Sequence, residues 1–247
     1  MSVRTIIIDD ERLARNELKK LLQEFSEIEV IDEAANVQEG IEKIEQHNPD
    51  LIFLDIQMPG KTGFDLLEEL DRAPKVIFTT AYDEFALKAF EVNALDYLLK
   101  PVEPRRLADA LQKVNQEESK ESVSSTGNGV APRAGSLTDE DQVFVKDGER
   151  CWFVKLNEIR LFESVGNYAK VFFGTNKPLI LKSLNSLEER LDDKVFFRAN
   201  RKHIINMRWI EKIEPYFNGG LLLELKGGEK IEVSRRQTVK FKEMMSL

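Results

Sequence analysis

Residues 51–55 read Leu-Ile-Phe-Leu-Asp, four apolar side chains closed by a carboxylate. A run without polar alternation suits a strand buried on both faces, as in a parallel sheet. The same pattern recurs on either side. Residues 5–8 lead into Asp9 and Asp10, residues 76–78 into Thr79, Thr80 and Ala81, and residues 97–99 into Lys100 and Pro101. Residues 29–31 add a fifth, less apolar run. Between the runs, apolar residues step at helical intervals. They are Ala14, Leu18, Leu21, Leu22 and Phe25; Val37, Ile41 and Ile44; Leu67 and Leu70; Phe85 and Ala89; Leu107, Leu111 and Val114. Five strand–helix units in series predict a doubly wound α/β domain with a five-stranded parallel sheet.

Sheets of this kind carry their sites at the carboxyl ends of the strands. Three carboxylates, a hydroxyl and an ammonium are therefore expected on one rim. Taken singly, each has an ordinary reading. An Asp after a strand caps a helix, a Lys before Pro lies on the surface, and a Thr belongs to its strand. Together, at four strand ends in order, they point to chemistry. Clustered carboxylates repel one another without a cation. Mg²⁺ suits a few hard oxygens, and lysine offers a point charge to a phosphoryl oxygen. A carboxylate can itself be the nucleophile and become an aspartyl phosphate.

The stretches IIIDDERLAR (6–15), FLDIQMPGKTGFDLL (53–67), VIFTTAYD (76–83) and ALDYLLKP (94–101) resemble the receiver domain of bacterial response regulators. The resemblance covers residues 3 to about 114. It implies that Asp55 is the phosphoacceptor. Asp9 and Asp10 would hold Mg²⁺ with Asp55, helped by the backbone carbonyl of Gln57. Thr80 and Lys100 would bind phosphoryl oxygens, and Tyr97 would be the aromatic switch. Met58, Pro59, Gly60 and Gly63 match the loop after the phosphoacceptor, and the Lys100–Pro101 bond is expected to be cis as in the family.

Charge changes along the chain. Residues 1–114 carry 14 basic and 24 acidic side chains, residues 115–140 carry 2 and 5, and residues 141–247 carry 20 and 15. The middle segment, NQEESKESVSSTGNGVAPRAGSLTDE, holds almost nothing apolar and is expected to be a flexible linker. Its first residues can alternatively prolong the preceding helix. An acidic partner such as nucleic acid would prefer the basic third part.

From Gln142 onward short β-type runs dominate: QVFVK, CWFVK, RLFES, AKVFF, LLLEL and KIEVS. Turn signals at Asp147-Gly148, Gly174, Gly219-Gly220 and Gly227-Gly228 separate several of them. One helix is expected over 184–191, with Ser183 as cap, and a last one over 235–244. This predicts a mostly β domain with short helices. Basic residues gather at Arg198, Arg201, Lys202 and His203, at Arg235 and Arg236, and at Lys170. Such groups can neutralise phosphates and read guanine edges, although a lone basic residue in a turn is more often just solvated.

Three blocks, IRLFESVGNYAKVFF (159–173), FFRANRKHIIN (196–206) and KIEVSRRQTVKFKE (230–243), resemble the LytTR DNA-binding domain over about 141–247. The resemblance implies loops entering successive major grooves of double-stranded DNA. The positions carried over are Lys170 beside Ala169, then Asn200, Arg201 and Lys202, then Arg235 and Arg236. Ala169 is too small for polar base readout, and Lys202 and His203 depart from the usual pattern, so no target sequence transfers.

Other chemistry is thin. The two histidines, His47 and His203, fall in different parts of the chain, and Cys151 is the only cysteine, expected to be a buried strand residue. No apolar run approaches the ~20 residues of a membrane span, and the N-terminus lacks the features of a secretory signal. A cytoplasmic protein is expected. The domains are expected at 1–114, 115–140 (linker) and 141–247.

The resemblances imply a two-component response regulator, not an enzyme, which takes up a phosphoryl group and at most slowly hydrolyses it. A histidine kinase would phosphorylate Asp55. Receivers would then dimerise through the face of the last strand and the last two helical segments, and the LytTR domains would bind paired promoter sites. One alternative is a phosphatase or phosphotransferase working through an aspartyl intermediate, but Gln57 stands where many such hydrolases carry an acid. Another is a receiver acting by protein contact alone.

Overall fold

The computed structural model describes residues 2–81, 94–124, 137–148 and 150–245. The helical pattern expected around Phe85 and Ala89 lies outside them. The chain divides into two compact units. One is Met1–Gly129 with Arg150–Phe153, the other Val130–Glu149 with Val154–Leu247.

In the first unit the elements are β1 (Val3–Ile8), α1 (Arg12–Leu22), β2 (Ile28–Ala34), α2 (Val37–His47), β3 (Leu51–Asp55), α3 (Gly63–Glu69), β4 (Lys75–Thr80), β5 (Asp96–Leu99) and α4 (Pro104–Ser124). The five strands form one sheet in the order β2-β1-β3-β4-β5, and every pair is parallel. The five-stranded parallel sheet is the one expected. Alternate side chains serve opposite faces. Ile7, Phe53 and Ile77 pack with Leu18 and Leu22 of α1 and with Leu107, Leu111 and Val114 of α4. On the other face Phe78 meets Phe64 of α3, ring centroids 5.1 Å apart. Gly40 of α2 comes so close to Leu66 and Ile8 that a Cβ would lie 2.8 Å from Leu66.

Caps place the helices that follow the strands. Thr62 and Asp65 form a reciprocal capping box at the start of α3, and Asn36 accepts the Glu39 N–H at α2. Each such cap contributes about 1 kcal/mol. Strand order reverses between β1 and β3, the switch point where a doubly wound sheet opens a crevice.

Order extends into the expected linker from both ends, and its first residues follow the alternative of a prolonged helix. α4 runs on to Ser124, because Gln, Glu and Lys propagate a helix that the packed turns before them have already nucleated. At the other end, the Leu137 N–H donates to the Arg190 carbonyl, and the Asp192 N–H to the Leu137 carbonyl.

In the second unit the strand pairs of the two larger sheets are antiparallel, and Leu137 and Leu191 form an isolated parallel bridge. The elements after α4 are β6 (Gln142–Asp147), β7 (Arg150–Lys155, of which Arg150–Phe153 group with the first unit), β8 (Ile159–Val165), β9 (Tyr168–Phe173), β10 (Leu179–Ile180), α5 (Leu184–Arg190), β11 (Phe196–Arg198), β12 (His203–Asn206), β13 (Ile210–Tyr216), β14 (Gly220–Leu225), β15 (Lys230–Val233) and α6 (Arg235–Met245). A sheet ordered β10-β9-β8-β12-β11 and another ordered β13-β14-β15 share a core. In it Leu161, Phe197 and Ile205 meet Leu223, Leu225, Ile231 and Phe241. Ser183 caps α5 as expected. Cys151 is buried on β7.

Arg160, inside this unit, is held on three sides. Its Nε and Nη2 grip the Glu229 carboxylate, its Nη1 donates to the Gly174 carbonyl at 2.8 Å, and its guanidinium lies over the Trp209 ring. Strands β11, β12 and β13 are not among the runs read from sequence. β11 is three residues long, β12 carries Asn206 fully buried at its end, and β13 is half-exposed with Pro215 inside it. None presents a clean period of two.

Candidate functional site

β1, β3, β4 and β5 each deliver a side chain to one rim of the first sheet. Asp9 follows β1, Asp55 ends β3, Thr80 ends β4 and Lys100 follows β5. The Lys100 N–H donates to the Thr80 carbonyl, which ties the last two together. Asp9 and Asp55 are 3 % exposed and Thr80 is fully buried. The Lys100 ammonium bridges the carboxylates, 2.7 Å from Asp9 Oδ2 and 2.7 Å from Asp55 Oδ2. Asp10 joins them: Asp9, Asp10 and Asp55 each offer an oxygen within 4.8 Å of the others. That is a set of hard donors of the kind Mg²⁺ takes.

The remaining oxygens are held by the backbone. Asp9 Oδ1 accepts the Glu11 N–H, and Asp55 Oδ1 accepts the Gln57 N–H. Burial pushes the Asp55 carboxyl up, and the nearby Asp9 adds to this; the Lys100 ammonium and the Gln57 N–H oppose it without cancelling it. Burial pulls the Lys100 ammonium down, but its hydrogen bonds to Asp55 and Asp9 outweigh that and hold it above its usual range. The lysine therefore stays charged. Thr80 Oγ1 is buried and finds no hydrogen-bond partner among the described residues. An orphaned hydroxyl is costly in a folded protein; an incoming oxygen ligand would satisfy it. The Lys100–Pro101 peptide is cis.

Tyr97 lies next to this rim on β5 and is 7 % exposed. Beside it Asp96, its carboxylate almost wholly buried, is bridged by Arg106 at 3.1 Å and Lys113 at 2.8 Å, both from α4.

The second unit carries a broad open groove. The β11–β12 turn contributes Asn200, Arg201 and Lys202, β15 contributes Lys230, the start of α6 contributes Arg235 and Arg236, and Phe217 borders it. Arg201, Lys202, Arg235 and Arg236 are exposed. Arg235 and Arg236 form the first helical turn of α6 and are not turn residues. Cations at a helix N-terminus oppose the macrodipole, and together with the free N–H groups they favour an anion there.

Lys170 is not among the residues lining this groove. It lies on β9, 3.7 Å from the Glu163 carboxylate, which also faces His203 Nε2 at 3.9 Å. Ala169 beside it is fully buried. Burial holds the His203 imidazole below its ordinary range; the charges of Lys202 and Arg198 add to this and Glu163 opposes it.

Comparison with known proteins identifies both domains. The response regulator receiver domain matches residues 5–112, and the LytTr DNA-binding domain matches residues 149–246. Sensory transduction protein LytT of Enterococcus faecalis is 36% identical over 246 residues, 98% of either chain. An uncharacterized response regulatory protein of Vibrio cholerae is 38% identical over 242 residues, 97% of either chain. LytT of Bacillus subtilis is 32% identical over 248 residues, 99% of this chain and all of its own.

This chain belongs to the LytT/LytR response regulators.

Within the receiver, sequence reasoning missed Arg15. Its Nη1 donates to the carbonyls of Asp9 and Asp10, at 2.7 and 3.3 Å, and so holds the acidic turn from below. It lies six residues after Asp9, just over one and a half helical turns away, and only the folded turn shows where its guanidinium goes. In the LytTR domain the inward hydrogen bonds of Arg198, grouped with the basic residues, and of Asn200, carried over as a DNA-facing position, were likewise not legible in the sequence. No helix among the described residues is long and apolar enough to cross a membrane.

Proposed function

We propose that this response regulator is a phosphorylation-switched, DNA-binding transcription regulator, with Asp55 as phosphoacceptor. The observation that carries the reading is the Lys100 ammonium held 2.7 Å from both Asp55 and Asp9, with the buried Thr80 hydroxyl at the end of β4 unpartnered among the described residues. Asp55 attacks the phosphorus of a phosphohistidine on a partner kinase; the phosphorus–nitrogen bond breaks and an aspartyl phosphate forms. Asp9, Asp10 and Asp55, with the Gln57 carbonyl, would hold Mg²⁺, which when bound neutralises charge on the transferring group. Lys100 exchanges a carboxylate for a phosphoryl oxygen, and the Thr80 hydroxyl donates to another. Tyr97, buried on β5, would pass the change to the elements around it. Any hydrolysis of the acyl phosphate is slow, so the chain is a switch and not an enzyme.

Phosphorylation then favours a homodimer, and two LytTR domains engage paired sites on double-stranded DNA. Arg201, Lys202, Arg235 and Arg236 face the DNA, with Lys170 at the margin. Asn200 touches the same groove in a different role, taken up below. The working division remains a receiver over 1–114, a connection over 115–140 and a DNA-binding domain over 141–247, in a cytoplasmic protein.

Labelled acetyl phosphate with Mg²⁺ should mark the wild type and leave Asp55→Asn blank, because an amide is no nucleophile. Chelation of Mg²⁺ should abolish labelling. Equal labelling of wild type and variant would sink the assignment.

A further inference from the structure

We propose that Asn200 is a positioning residue: it joins the β11–β12 turn to the end of β15 and so sets the spacing of Arg201 from Arg236. The proposal rests on the reading of the groove as the DNA face.

The amide is committed inside the protein. Asn200 Oδ1 accepts the Lys202 N–H at 2.8 Å and lies 3.1 Å from His203 Nδ1. A backbone N–H can meet only the oxygen of a carboxamide, which fixes the orientation of the group. Its Nδ2 then faces the Glu232 carbonyl and donates to it at 2.6 Å, across 32 residues of chain. A second bond runs parallel, from the Ser234 N–H to the Ala199 carbonyl at 3.0 Å. Ser234 is the residue immediately before Arg235 and Arg236.

An asparagine that reads adenine offers its oxygen and its nitrogen together to the base edge. Here Oδ1 holds the Lys202 N–H and faces His203 Nδ1, and Nδ2 spends one of its two N–H groups on the Glu232 carbonyl. Reading a base would break the turn that presents Arg201 and Lys202. Arg198 supports the same frame from behind. Its Nε donates to the Asn200 carbonyl at 2.8 Å and its Nη2 to the Arg201 carbonyl at 2.9 Å. The basic run therefore sorts by role. Arg198 and Asn200 turn inward and hold the peptide, while Arg201 and Lys202 are exposed.

The test uses the full chain and a duplex selected from a random pool by the wild type. Wild type, Asn200→Ser, Arg201→Ala, Arg236→Ala and the Asn200→Ser/Arg236→Ala double variant are compared against every single-base change in the duplex. Serine still accepts the Lys202 N–H in a local turn but cannot reach the Glu232 carbonyl. Asn200→Ser should weaken binding about ten-fold, within the range of coupled neighbouring groups. It should relax preference at the base pair that Arg236→Ala also relaxes, and at no new one. Arg236→Ala should cost less in the Asn200→Ser background than alone. Asn200→Gln, which retains the amide, should show the same pattern more mildly and guards against a serine variant that fails to fold. Relaxation at a base pair that neither arginine variant affects would make Asn200 a direct reader and overturn the proposal. An unchanged base profile in Asn200→Ser, with or without lower melting temperature, would overturn it too. Wild-type behaviour of both arginine variants would instead overturn the reading of the groove.

Discussion

Arg201 at the tip of the β11–β12 turn and Arg236 in the first turn of α6 are both exposed on one groove. An arginine can grip the guanine edge with two parallel bonds, and a lysine cannot. Arg201→Ala and Arg236→Ala should each cost about 1–3 kcal/mol and relax the preference at one base pair. Lys202→Ala should instead weaken all duplexes evenly and shrink the salt slope by about one. Competition on selected and scrambled duplexes at several salt concentrations separates the two behaviours. Unchanged binding in both arginine variants would place the DNA face on other loops. Asn200, carried over as a DNA-facing position by resemblance, illustrates the same scale. A carboxamide can face a base or a backbone with equal ease, and only its neighbours decide which.

Between elements, the start of α3 lies close against the end of β3. The Gly63 N–H donates to the Ile56 carbonyl at 2.8 Å, and a Cβ on Gly63 would lie 2.4 Å from the Asp55 carbonyl oxygen. The obstacle is backbone, which cannot rotate away. Gly63→Ala should therefore push α3 off β3, destabilise the receiver by about 2 kcal/mol or more, and lower phosphoryl labelling although Asp55 is intact. Urea unfolding and acetyl phosphate labelling check both parts; wild-type values in both would show that the helix start can move freely.

A second element contact is electrostatic. Lys43 of α2 lies 3.0 Å from Asp32 on β2 and 2.8 Å from Glu39. Burial pushes Asp32 up, but Lys43, the Glu33 N–H and His47 outweigh it and hold the carboxyl below its ordinary 3.8. The Lys43 hydrogen bond holds Glu39 below 4.5 despite some burial. Depressed carboxylates stabilise above their unfolded values and lose that contribution as pH falls through the lower folded values. Lys43 is held above 10.5, chiefly by the Glu39 bond, so its own part is lost only as pH rises through that higher value. Lys43→Met should cost up to about 1 kcal/mol near neutral pH, since these side chains are partly solvated. The deficit should close in strong acid. An equal melting difference at pH 3 and pH 7 would exclude the ionic account.

For the whole molecule, the described order narrows what lies between the two units. α4 continues to Ser124, and Leu137 is held by Arg190 and Asp192. Coupling by association asks little of that connection, because joining two receivers raises the local concentration of two DNA-binding domains. Beryllofluoride, a phosphoryl mimic, should shift the intact chain from monomer toward dimer in sedimentation. A ten-fold gain in association needs only about 1.4 kcal/mol. An unchanged mass over a wide concentration range would move the coupling to some other contact.

The sequence by itself determined the parallel sheet and the acidic rim. Strands buried on both faces leave uninterrupted apolar runs, and a doubly wound sheet must gather whatever follows its strands at one edge. The strand ends at Asp9-Asp10, Asp55, Thr79-Thr80 and Lys100 were therefore legible from position, while the choice of Thr80 came from the resemblance. The LytTR domain was legible as β-rich but not strand by strand, because β11, β12 and β13 are short or half-exposed and carry no clean alternation. Only the tertiary structure decided how polar side chains are spent. Arg15 beneath the acidic turn, Arg160 on Glu229, and Asn200 on Glu232 are each held by a group distant in sequence or by backbone atoms. A hydrogen bond of that kind depends on where the backbone has been brought, and no local pattern encodes it.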